Sequence, residues 1–136
     1  MADFTHFTQD GRPQMVNVGE KDETQRIAIA TGKVLVGKAT LSAIAEGGLK
    51  KGDVLSVAQL AGIMGAKKTS ELIPLCHPLA LSHIDVALEL NKAACRIDIR
   101  AECRLKGQTG VEMEALTAVS VTALTIYDMC KAIDKE

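Results

Sequence analysis

Helices packed on one face of an antiparallel sheet, an α+β fold, is what the sequence predicts, on three observations. Two period-2 runs lie between residues 81 and 105, joined by a short polar link. A run rich in β-branched residues at 26–36 precedes them by some fifty positions. Segments with helical spacing of apolar residues fill the gap, and another closes the chain.

Taken in order, residues 1–24 are polar, contain Gly11, Pro13 and Gly19, and keep no period, which predicts an extended N-terminal arm. Residues 26–36 predict a strand. Leu41, Ile44 and Ala45 have helical spacing, and Gly47-Gly48 ends that short helix. Asp53 is placed to cap the next helix, with Val54, Val57, Leu60, Ala61 and Met64 as its apolar stripe and an end near Ala66. Ser82, Ile84, Val86, Leu88 and Leu90 then alternate with His83, Asp85, Ala87 and Glu89. After Asn91-Lys92-Ala93, the residues Cys95, Ile97, Ile99, Ala101, Cys103 and Leu105 point one way, and Arg96, Asp98, Arg100, Glu102, Arg104 and Lys106 the other. This predicts a hairpin with Cys95 and Cys103 as small core residues. Gly107-Gln108-Thr109-Gly110 breaks the strand, and a last helix runs to about Ile133. Its residues 115–127 carry no charge on any face, so it must be buried on all sides, which so short a chain can hardly manage without a neighbouring subunit. Strand, two helices, strand, strand, helix is a ferredoxin-like order without its usual last strand.

The 136 residues correspond to a single domain. A hydrophobic content of 47% against 24% charged residues excludes a disordered chain. The net charge of −1 and an aromatic set limited to Phe4, Phe7 and Tyr127 exclude a dedicated nucleic-acid binder. Local pairs such as Lys50-Lys51 and Lys67-Lys68 suit one phosphorylated small molecule instead. Cys76, Cys95, Cys103 and Cys130 form no CxxC pair, and the start of the chain has no signal-peptide pattern, so reduced thiols in a cytoplasm are expected. The uncharged stretch 115–127 is too short to cross a membrane.

Chemistry-bearing residues fall in three places. Cys76-His77 lies between Pro74 and Pro78, which restrict the backbone and predict a stiff, non-helical loop; a solvated turn is the structural alternative. A zinc site is not expected, because no second Cys or His stands at ligand spacing. Glu112 and Glu114 open the last helix, where acids also complement the helix dipole. Inside a helix such neighbours point about 200° apart, so they share a site only if Glu112 lies in the extended approach. Asp128 and Lys131 share one helix face, a pairing that is otherwise a weak helix-end ion pair. Two other readings compete: a non-catalytic oligomeric module whose basic pairs bind a nucleotide or a partner, and a Mg²⁺-dependent phosphoester hydrolase, which the lack of a dense acidic cluster disfavours.

Together, the continuous run at 67–79 (KKTSELIPLCHPL), the run at 109–118 (TGVEMEALTA) and the run at 124–132 (LTIYDMCKA) closely resemble the cyclic pyranopterin monophosphate synthase family of molybdenum-cofactor biosynthesis. Met15-Val16-Asn17-Val18 and Lys51-Gly52-Asp53-Val54 extend the likeness. The resemblance implies that 3′,8-cyclo-7,8-dihydro-GTP, a phosphorylated purine-derived substrate, is rearranged to cyclic pyranopterin monophosphate with loss of pyrophosphate. It implies Asp128 as catalytic acid/base with Lys51 and Lys131 beside it, and substrate binding through Leu75, Cys76, His77, Met113 and Glu114. Glu112, Lys67 and Arg26 complete the expected binding set. No cofactor and no metal is expected, and a homohexamer built as a trimer of dimers is. Two departures stand out: Asn17 replaces the family's usual Asp, and relatives usually continue past Glu136 into a further strand and a Lys/Gly/Ser-rich tail.

Overall fold

The computed structural model describes residues 24–47 and 53–133, so the expected arm lies outside the described residues except for Thr24. The elements are β1 (Thr24–Leu35), α1 (Lys38–Glu46), α2 (Val54–Lys67), α3 (Thr69–Leu72), β2 (His83–Asn91), β3 (Arg96–Gly107) and α4 (Glu112–Cys130). The strands form one sheet in the order β1-β3-β2, and both outer strands run antiparallel to β3. The expected ferredoxin-like arrangement is present, and among the described residues no further strand pairs with β1.

Alternation decides which sheet face is covered. Ile97, Ile99, Ala101, Cys103 and Leu105 are all buried, with Val86 beside them from β2 and Ala30 from β1. Side chains such as Ile97, Ile99 and Ile126 contribute roughly 1.5–3 kcal/mol each when withdrawn from water. Cys95 departs from the expected pattern. It ends the connection between Asn91 and Arg96 with a left-handed backbone, φ 51°, and is only half-buried. A short hairpin connection needs such a residue to match the strand twist, so the buried alternation starts at Ile97. Ala94 N–H donates to Asn91 Oδ1 at 3.0 Å, and Val36 N–H donates to the Cys95 carbonyl at 3.0 Å, which hold the turn in place.

Asp53 caps α2 as expected: its carboxylate accepts from Leu55 N–H at 3.2 Å and from Ser56 Oγ–H at 2.5 Å. The Ser56 hydrogen bond holds the Asp53 carboxyl below its usual range. The predicted apolar stripe of α2 is corrected. Val57, Leu60 and Met64 are exposed, and the buried face is Val54, Ala58, Gly62, Gly65 and Ala66. Close approach to α4 selects these small residues, because a Cβ on Gly62 would collide with Thr122 Oγ1 and one on Gly65 would come within 2.8 Å of Val121 Cγ2. Thr122 in turn spends its hydroxyl on the Ala118 carbonyl at 2.7 Å, so a buried polar group is satisfied inside its own helix.

Helix α4 ends at Cys130 rather than at Ile133, and a turn follows in which Ile133 N–H donates to the Cys130 carbonyl. Its expected burial on all sides is not met within one chain. Leu116, Leu124 and Tyr127 are 50%, 67% and 46% exposed. Among the described residues no helix is long and apolar enough to cross a membrane.

Candidate active site

The site begins where α2 stops. Thr69 Oγ–H reaches the Ala66 and Gly65 carbonyls at 3.0 and 3.3 Å and turns the chain into α3, a one-turn helix that the sequence periodicity did not reveal. Ile73 N–H closes α3 on the Thr69 carbonyl. A tight turn follows, with Pro74 at its second position and Cys76 N–H donating to the Ile73 carbonyl at 3.2 Å. The chain then passes Leu75, Cys76 and His77 without helix or strand pairing, as the two prolines imply, and all three are half-buried.

Across from this loop stand Thr109, Gly110 and the first turn of α4. Loop and helix start enclose a hollow of about 500 Å³, lined by residues 73–77, Leu79, Thr109, Gly110, Glu112, Met113 and Glu114. Its volume suits a small molecule. A hollow of about 590 Å³ on the far side of the sheet is larger but is lined mainly by strand surface, so convergent chemistry and not size selects the first.

Both carboxylates reach the hollow because Glu112 is the first residue of α4 and its side chain folds back over Gly110, where a Cβ would collide with Glu112 Oε2. Glu114 is only 4% exposed. Burial pushes its carboxyl above the usual range, and the negative charge of Glu112 adds to the effect. Burial likewise raises the Cys76 thiol, with Glu114 and Glu112 contributing, so Cys76 is a neutral thiol rather than a thiolate nucleophile. Cys103 is pushed up to about 11 by burial first and by the charges of Glu114 and Glu102 second, in keeping with its role as a small core residue. The hollow therefore offers an acid inclined to keep its proton next to one open to solvent, a pairing able to donate and accept protons at one ligand.

Other expected residues lie elsewhere. Lys131 Nζ donates to Asp128 Oδ1 at 2.9 Å, with the side chains half or more exposed, and Asp128 raises the Lys131 ammonium. Sixteen residues at ~1.5 Å each put this pair about 24 Å along α4 from Glu112. Lys67 is exposed at the end of α2 and does not line the hollow. Arg26 is on β1, its Nε–H donating to the Gly107 carbonyl at 3.3 Å, and it does not line the hollow either. Lys51 lies outside the described residues. Thr109 and Gly110 line the hollow although the sequence assigned them no site role, only a strand break and the start of the run at 109–118; their place directly before the two glutamates was the available signal. Among the described residues no three His, Cys, Asp or Glu side chains are grouped to hold a metal ion.

Comparison with known proteins converges on one family. The chain is 63% identical over 132 residues to the cyclic pyranopterin monophosphate synthase of Rhodospirillum rubrum, covering 97% of this chain and 80% of that protein. It is 57% identical over 136 residues to the protein of the same name from Roseiflexus sp. (strain RS-1), covering 100% and 86%. It is 58% identical over 132 residues to that from Clostridium botulinum, covering 97% and 83%. The sequence model of the MoaC family matches residues 15–136, and with that match the chain belongs to the MoaC family.

Proposed function

We propose that this chain is a lyase that converts 3′,8-cyclo-7,8-dihydro-GTP to cyclic pyranopterin monophosphate, releasing pyrophosphate, in molybdenum-cofactor biosynthesis. The observation that carries the reading is the convergence of Leu75, Cys76 and His77 with Glu112, Met113 and Glu114 on one hollow, in a chain so similar to named synthases. Opening a purine ring and closing a pyrazine ring takes repeated proton transfers. In this reading Glu114 holds its proton against the heterocycle, Glu112 accepts or orients from the solvent side, and His77 fixes the substrate from the loop. Asp128 is the acid/base that moves protons at the reacting carbons, with Lys131 and Lys51 beside it. Lysines beside the phosphates offset the charge of the departing pyrophosphate, the service expected of Lys67 and, through its guanidinium, of Arg26. No cofactor or metal takes part.

One chain cannot bring Asp128 to the hollow, so the complete site is shared between copies. The exposed stripe Leu116, Leu124 and Tyr127 on the same helix is the surface such a contact would cover. A homohexamer arranged as a trimer of dimers, in the cytoplasm, completes the proposal. A binding module without catalysis would have Lys51, His77, Glu112, Asp128 and Lys131 scattered; within one copy His77 and Glu112 share the hollow while Asp128 and Lys131 stand apart from it, so the enzyme reading requires a second copy to supply that pair. The test is to incubate the purified protein with 3′,8-cyclo-7,8-dihydro-GTP. Stoichiometric pyrophosphate and a fluorescent pterin after oxidation are expected; binding of the substrate without either product would replace the enzyme by the module.

A further inference from the structure

Helix packing dictates Gly62 and Gly65, as their neighbours on α4 show, but it does not dictate Gly110. The three atoms nearest to a Cβ placed on Gly110 all belong to the carboxyl group of Glu112. Nor does the backbone demand a glycine there: Gly110 lies outside the left-handed region, which among the described glycines only Gly47 enters. What the missing side chain leaves open is the space into which the Glu112 carboxylate folds, in the wall of the hollow that both residues line.

We propose that Gly110 is a positioning residue: having no Cβ, it keeps open the place of the Glu112 carboxylate and so holds that group against the substrate. The inference rests on the reading that Glu112 acts in the hollow. The backbone beside it is fixed. Val111 and Ala115 are each 1% exposed, Glu114 is 4% exposed, and Ala115 N–H donates to the Val111 carbonyl at 3.1 Å, which pins the first turn of α4 to the core. A methyl at position 110 therefore has to be answered by the Glu112 side chain, which is exposed and free to change rotamer. That rotation costs the fold little, and it carries the carboxylate out of its place in the hollow. At Gly62 the situation is reversed: the collision is with the fully buried Thr122, and the fold bears the cost. Gly110 acts on the reaction only through Glu112.

The test is a double-mutant cycle of Gly110→Ala and Glu112→Ala, read as kcat/KM for pyrophosphate release, with single turnovers at excess enzyme for the slow variants and thermal melting for the fold. Gly110→Ala is expected to melt at or slightly above the parent temperature, because alanine narrows the unfolded ensemble without straining the folded backbone. It lowers kcat/KM by ~10–10²-fold, the scale of a misplaced group, and by no more than Glu112→Ala does. In the Glu112→Ala background no carboxylate is left to displace, and adding Gly110→Ala changes the rate by less than about 2-fold. An equal loss in both backgrounds would mean a distorted loop and overturns the proposal. So does a parent-like rate for Gly110→Ala when Glu112→Ala is slow. A parent-like rate for Glu112→Ala refutes the role of Glu112 instead, and the place of its carboxylate is then decided without turnover, by NMR titration of the Glu114 carboxyl carbon, which the Glu112 charge helps to raise. Cys76, His77 and Cys103, the other titratable groups around the hollow and beneath it, are the same in all variants. A Glu114 midpoint lowered by Gly110→Ala, as it is by Glu112→Ala, supports the displaced carboxylate; a midpoint that Gly110→Ala leaves unmoved overturns it.

Discussion

Glu114 is the residue at which the physical chemistry is sharpest. Its carboxyl is raised by burial first and by Glu112 second, so the folded state binds the proton more tightly than the unfolded chain. The stability that this proton contributes is complete below the ordinary glutamate range and is lost as pH rises through the raised folded value. Glu114→Gln therefore melts higher than the parent at neutral pH and about equally in mild acid, while losing turnover because the amide cannot deliver a proton. Equal melting at both pH values would mean that Glu114 is ionised and paired in the folded protein. At the opposite end of α4, Asp128→Asn leaves melting nearly unchanged and lowers turnover by ~10²–10⁴-fold, the usual cost of one general acid/base. Near-native turnover would remove Asp128 from the mechanism. His77→Ala, outside the periodic core, is expected to weaken substrate handling with little change in melting; a large drop in melting with intact kinetics would make His77 a structural residue.

Among the elements, the seam between α2 and α4 is the most demanding. In an isolated helix Gly→Ala is worth about 1 kcal/mol of added stability. At Gly62 the new methyl collides with Thr122 Oγ1, and overpacking of this kind typically costs about 1–3 kcal/mol. Gly62→Ala should accordingly lower the denaturant midpoint, and Gly62→Ala/Thr122→Ser, which removes the Thr122 methyl, should recover little because the hydroxyl remains; a rise in midpoint for Gly62→Ala would contradict the close packing. This seam also explains what the sequence concealed. Strand alternation on β2 and β3 was legible because period 2 assigns faces without reference to any partner. The buried side of α2 was not, since glycine and alanine form it and hydrophobicity points to Val57, Leu60 and Met64 instead. Cys95 was misread because apolar character alone does not mark a left-handed turn position. The loop at 73–77 and the glutamates at 112 and 114 were legible as chemistry, but their meeting required the fold, as their separation in sequence shows no period.

For the whole molecule, the distance along α4 is the controlling quantity. Glu112 belongs to the hollow and Asp128 stands about 24 Å away on the same rigid helix, so no small ligand can touch both within one copy. The apolar stripe left open on α4 gives the missing contribution a place to arrive from. The most direct measurement mixes two inactive proteins, Glu112→Ala and Asp128→Ala, under conditions in which subunit exchange is verified by mass. Mixed assemblies contain sites built from the unaltered Glu112 region of one copy and the unaltered Asp128-Lys131 end of another, and pyrophosphate release from 3′,8-cyclo-7,8-dihydro-GTP is predicted to return to a substantial fraction of the parent rate. Complete exchange with no recovered activity would contradict a site shared between subunits.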